Sequence, residues 1–204
     1  YYKKGVELGD AHAKLGLATF YIEGQVVDKD LENAKVLQQE AYDYYYELAV
    51  VEEESVAQLR LGNFYFYGMP LIGIEQDDTQ AAQWYLKAAE NGLDLAQNDI
   101  GNMYAFGLGV PQNYEKAFYW YSKAAERMDL MAMSNIGNFF YWGRGVEQSY
   151  EKAAEYHSKA ANPGHPNSQE VLGEMYMKGK GLEQNYAKAA YWLTESCKNG
   201  ERSA

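Results

Sequence analysis

The stretch AMSNIGNFFYWG, residues 132–143, decides the fold, because the chain carries it several times over. AQLRLGNFYFYG (57–68), AQNDIGNMYAFG (96–107) and SQEVLGEMYMKG (168–179) lie over it without gaps, and AKLGLATFYIEG (13–24) joins them with Ala18 in place of the first Gly. The starts at 13, 57, 96, 132 and 168 are 44, 39, 36 and 36 residues apart. A fixed period in this range marks a stack of supersecondary units, and the ideal unit here is 36 residues.

Each segment closes on a Gly, and an Ala opens a second run ten residues later: Ala34, Ala117, Ala153 and Ala189. In the second repeat Ala81 lies thirteen residues after Gly68, because MPLIGIEQDD lengthens the turn. The second runs are rich in helix formers and place small residues seven apart, as at Ala81/Ala88, Ala117/Ala124 and Ala153/Ala160. Each unit therefore reads as helix A, a Gly-bounded turn and helix B, a pair that must stack on neighbours to bury its apolar face. At 100° per residue from the first Gly, the preceding Leu or Ile and the aromatic three residues on (Tyr21, Tyr65, Tyr104, Phe140, Tyr176) define a buried face of helix A. Gly costs about 1 kcal/mol inside a helix. Its recurrence predicts that helix B approaches too closely for a side chain there.

The pattern A-x-x-x-L-G-x-x-Y-x-x-G-x-G-V, followed by A-x-x-W/Y-x-x-K-A-A, resembles the Sel-1-like repeat, a relative of the tetratricopeptide repeat, over almost the whole chain. The resemblance implies an all-α, right-handed superhelical solenoid with the A helices lining its concave side. The expected organisation is a single repeat domain over 1–204: the end of a preceding helix B at 1–12, then repeats at 13–56, 57–95, 96–131, 132–167 and 168–204. Tyr1, Lys4 and Gly9 match the end of a helix B, so the sequence is expected to open inside an earlier repeat. The first repeat departs most. Its B segment from Ala34 is 8 residues longer than the others, which predicts either a helix extended by about two turns or a helix followed by an acidic loop at Glu52–Glu54.

Composition narrows the function. The net charge of -11 argues against nucleic acid, whose binding needs clustered Lys and Arg, and suits a basic protein partner as well as plain solubility. The single Cys197 cannot form an intrachain disulfide and reads as a small packing residue in place of an Ala. No apolar run approaches the roughly 20 residues of a membrane span. The GxG elements at Gly107–Gly109, Gly143–Gly145 and Gly179–Gly181 lack the GK[ST] of a phosphate loop and read as turns. His12, His157 and His165 show no metal-ligand spacing, and Asp77–Asp78 reads as a helix cap rather than an acid-base pair. No catalytic residue, metal or cofactor is assigned, and no enzyme activity is expected.

What remains is the outer face of helix A. One and five positions after the first Gly stand Asn63, Asn102 and Asn138, then Tyr67, Phe106 and Trp142, with Phe66 and Tyr141 at plus four. Large aromatics on a nominally exposed face are the informative exception to burial. Asn can both donate to and accept from a peptide backbone, while aromatics give contact at little entropic cost. The resemblance sets these residues in one concave groove, so the expected function is an adaptor that grips a partner peptide or loop. The rival reading is structural: the aromatics pack on the next repeat and the Asn residues solvate the groove. Glu52, Glu53 and Glu54 form a second candidate surface. The resemblance also admits a toxin-neutralising immunity-type protein and, more distantly, a hydrolase, and it points to an exported bacterial protein.

Overall fold

A computed structural model describes residues 2–203, with side chains through 200. Among them are eleven α-helices: α1 (Tyr2–Glu7), α2 (Ala11–Glu23), α3 (Leu31–Val50), α4 (Ser55–Tyr67), α5 (Asp78–Glu90), α6 (Asp94–Phe106), α7 (Tyr114–Ala125), α8 (Leu130–Trp142), α9 (Tyr150–Ala161), α10 (Pro166–Lys178) and α11 (Tyr186–Ser203). The even-numbered helices are the A helices and the odd ones from α3 onward are the B helices. Extended pairing among the described residues is one isolated bridge, Met69 with Ile74, in the long turn of the second repeat.

The helices start and stop where their residues dictate. Asp10, Asp30, Asp77, Asn113, Asp129 and Ser149 each accept a backbone N–H from the first turn that follows, satisfying donors the helix itself cannot. Left-handed Gly24, Gly143 and Gly179 end α2, α8 and α10. The second Gly of each GxG serves a different need. A Cβ on Gly145 would lie 2.8 Å from the Tyr114 backbone, so the turn seats directly on the start of the previous helix B.

The chain clusters into two compact units. The first holds the residues up to Ala96 with Leu108–Val110; there α2 packs on α3, α3 on α4 and α4 on α5. Its core gathers Ala41, Tyr45, Ala49, Leu61 and Phe64. In α3, 20 residues long against 13 in α5, Tyr42 and Tyr45 reach the Phe64 ring of α4. The acidic turn follows α3, with Glu53 in the left-handed region at φ 54 and Glu54 capping α4.

The second unit holds Gln97–Gly107 and the residues from Pro111 onward, with α7 on α8, α8 on α9, α9 on α10 and α10 on α11. Its core gathers Ala117, Tyr121, Ala132, Ile136, Phe139 and Phe140. Phe139 stands two positions after Gly137 and packs edge-on to Tyr121 and Tyr114 of the preceding helix B. Helices α4, α8 and α10 are thus buried on two sides, each against its own helix B and the previous one. The periodicity argument from the Gly captured only the first side. The large apolar residue at plus two (Phe64, Phe139, Met175) is the signal that reveals the second.

Candidate functional site

Helix B leaves no room for a side chain at the first Gly of α4, α6, α8 and α10: the space is taken mostly by a helix B side chain, and at Gly173 also by the Ala189 carbonyl oxygen, 3.2 Å from a Cβ placed there. A Cβ on Gly62 would run into the Tyr85 ring, and one on Gly101 would lie 2.6 Å from Tyr121. Cys197 is exposed rather than packed. The matching Ala161 is buried because α10 follows it, whereas no later helix covers Cys197 among the described residues.

The rings above Gly62 and Gly101 bear directly on the candidate Asn residues. Tyr85 Oη donates to Asn63 Oδ1 at 2.8 Å, and Tyr121 Oη donates to Asn102 Oδ1 at 2.7 Å. A buried phenol needs such a partner. Burial, with the nearby Asp99 second, also pushes the Tyr121 hydroxyl far up from its usual range, so it stays a donor. Asn102 additionally meets the Asn135 amide at 3.5 Å. The carboxamide oxygens of these two Asn residues are thus already engaged within the fold.

The fourth repeat breaks the pattern. His157 stands where Tyr121 would, above Gly137, whose Cβ would lie 2.7 Å from His157 Nε2. Imidazole is shorter than phenol and carries no hydroxyl beyond the ring. Asn138, half-buried, makes no hydrogen bond among the described residues, and His157 Nε2 is buried without a partner. The carboxamide of Asn138 therefore keeps its hydrogen-bonding capacity.

Asn138 opens into a cleft of about 330 Å³ between α8 and α10, lined also by Tyr141, Trp142, Glu170, Val171, Glu174 and Lys178. Trp142 is 61% exposed, against Tyr141 edge-on at 4.8 Å. Tyr141 is half-buried and held: Lys180 Nζ donates to its hydroxyl at 3.2 Å and lies over its ring and that of Tyr150. Glu174 is paired with Lys178 at 2.6 Å, whereas Glu170 is exposed on the same helix. The cleft thus offers an aromatic face, a free amide and a carboxylate, three features that suit a peptide with a cationic side chain.

The other predicted site residues are distributed as follows. Phe106, in the second unit, is 65% exposed on α6, and Tyr67, in the first, is 75% exposed on α4. Phe66 is half-buried against Tyr67 and Tyr85. Glu53 lines a separate cleft of about 250 Å³ in the first unit with Val50, Trp84 and Lys87, while the Glu54 side chain is used as a cap. No cluster of three or more His, Cys, Asp or Glu able to hold a metal occurs among the described residues. None of their helices is long and apolar enough to cross a membrane.

The repeat geometry has a counterpart among known families. The model of the Sel1 repeat matches five times, over residues 9–49, 55–93, 94–127, 130–165 and 166–201. The chain belongs to the Sel1-repeat family. A Sel1-repeat protein from Oxalobacter formigenes is 32% identical and superimposes with a TM-score of 0.73 over 93% of this chain and 73% of its own. A protective antigen of uropathogenic Escherichia coli with the SLR fold is 28% identical, with a TM-score of 0.70 over 98% of this chain and 48% of its own. In sequence, 66 residues are 39% identical to the chitin synthase regulator SKT5 of Saccharomyces cerevisiae, covering 32% of this chain. The chain spans about half the length of the E. coli antigen, and its match covers 9% of SKT5. Sel1-repeat proteins generally mediate protein–protein interaction and are typically non-enzymatic scaffolds.

Proposed function

We propose that this Sel1-repeat chain is an adaptor that binds an extended, basic peptide segment of a partner protein in the cleft between α8 and α10. The observation that carries this reading is the free carboxamide of Asn138 beside the exposed Trp142. In the second and third repeats the equivalent Asn serves a helix B tyrosine; in the fourth it faces the cleft. An amide reads peptide backbone with both a donor and an acceptor. The indole face and Glu170 favour a Lys or Arg side chain, in keeping with the net charge of -11.

The test is selection of a randomised displayed peptide library on the intact chain, followed by titration of the selected peptides. They should carry a basic residue, and Trp142→Ala should weaken them by about 2 kcal/mol, as expected of an aromatic anchor. Equal binding to Trp142→Ala would place the site elsewhere. A toxin-neutralising role would fill the same cleft with a folded basic protein, and competition between such a protein and the selected peptides tests it.

A further inference from the structure

The substitution that frees Asn138 also leaves an imidazole buried in the core of the second unit, beside a second histidine. His157 Nδ1 lies 3.5 Å from Ser168 Oγ, and His165 Nδ1 lies 3.0 Å from the same atom. Ser168 is fully buried on the first turn of α10. His165 also caps that helix, its Nδ1 accepting the Ser168 backbone N–H at 3.3 Å. The corresponding caps of α2, α4 and α8 are carboxylates: Asp10, Glu54 and Asp129. We propose that His157, Ser168 and His165 form an acid-sensitive joint that fastens the start of α10 to α9 and loosens when the imidazoles take up protons.

Hydrogen-bond accounting fixes how the joint works. To cap the helix, His165 Nδ1 must be an unprotonated acceptor. Ser168 has one hydroxyl proton, and when it points to His165 the oxygen is left to accept from Nδ1–H of His157. Nε2 of His157 is then the bare acceptor above Gly137, which matches its lack of any partner. A proton on Nε2 would place a charge and an unpaired N–H in the core. A proton on His165 Nδ1 would face two donors and set a cation at a helix N-terminus, where the dipole opposes it. Both imidazoles are therefore held neutral. Burial, with His165 second, pushes His157 down to about 4, and burial lowers His165 against the opposing pull of Asp129.

The sign follows from linkage. A base kept neutral in the fold contributes stability that is full above its unfolded value of 6.5 and is lost as pH falls from there toward about 4. The charged neighbours are few. Asp129 faces His165 from the start of α8, and Asp99 of α6 faces Asp129. Asp99 is raised to about 6 by burial and then by Asp129, so it acts oppositely, gaining protons in the folded state as pH falls. Glu155 and Lys159 on α9 pair with each other, as do Glu195 and Lys198 on α11 and Glu174 and Lys178 on α10; Glu170 on α10 is exposed. Because α10 carries Glu170 and Val171, loosening it would also open the cleft. That consequence rests on the peptide-binding reading, whereas the joint itself does not.

Amide hydrogen exchange of α10 in the intact chain, without any partner and corrected for intrinsic rates, tests the joint between about pH 7.5 and about pH 5. His157 alone should raise the opening equilibrium about thirtyfold over that interval. His157→Gln borrows the residue at the matching position of the first repeat, half-buried and uncharged Gln38, and should remove most of that rise. His165→Asp installs the carboxylate cap found at α2, α4 and α8 and should also reduce the rise, while Asp99 contributes equally to all three proteins. The proposal is overturned if all three show the same rise. It is equally overturned if the wild-type chain shows none while His157→Gln remains folded.

Discussion

The third and fourth repeats are built on the same frame and diverge at one contact. In α6 and α7 the Gly101 notch receives the Tyr121 ring, whose hydroxyl ends on Asn102. In α8 and α9 the Gly137 notch receives His157, which leaves its own Nε2 unpaired and Asn138 unclaimed. One closed hydrogen bond gives a sealed repeat. Its absence gives a repeat with a free recognition group on one side of helix A and a titratable core on the other. A scaffold of near-identical units can thus acquire a binding site and a pH response by loosening one unit rather than by adding parts.

Four comparisons rank by expected effect. Tyr121→Ala removes a buried aromatic and should cost about 3–5 kcal/mol in denaturant unfolding. His157→Ala should cost less, since it also deletes a buried nitrogen without a partner. Equal losses would mean that the fourth repeat is as tightly closed as the third. Next, Gly101→Leu must displace the Tyr121 ring and should cost about 1–3 kcal/mol; an unchanged melting temperature would show that the notch is not filled. Third, Trp142→Ala should weaken a bound peptide by about 2 kcal/mol yet change stability by no more than about 0.5 kcal/mol, as befits an exposed side chain. A stability loss of about 3–5 kcal/mol would instead make Trp142 a packing residue. Last, Tyr121→Phe should cost about 1 kcal/mol of stability through the lost hydrogen bond and leave peptide affinity unchanged.

The contrast was only half legible in the sequence. The repeat register and the Gly turns are local signals, because they depend on backbone conformation and on a period that each copy reports independently. The outward aromatics Tyr67, Phe106 and Trp142 were found by helical angle alone. The pairing of Tyr85 with Asn63 and of Tyr121 with Asn102 was not, because it depends on how far helix B is rotated about its axis, which periodicity leaves open. One trace of it was present: where helix B carries Tyr four residues after its opening Ala, helix A carries Asn after its Gly, while the fourth repeat keeps Asn138 and has His157. Phe139 was missed for a related reason. A helix packed between two partners has no single apolar direction, so its second buried face lies outside the one that the Gly defines. The exposure of Cys197 depends on whether a following helix covers it, which composition cannot show.

Titration of the selected peptides against His157→Tyr tests the account most directly, because this variant rebuilds in the fourth repeat the contact already present in the third. A phenol above Gly137 should reach Asn138 as Tyr121 reaches Asn102. Stability should rise by about 1 kcal/mol, the usual net value of one hydrogen bond, while the peptides lose about 1 kcal/mol of affinity, roughly fivefold, as Asn138 is consumed. A more stable protein that binds the peptides as tightly as before would contradict the claim that the unclaimed Asn138 is what makes this repeat the recognition site.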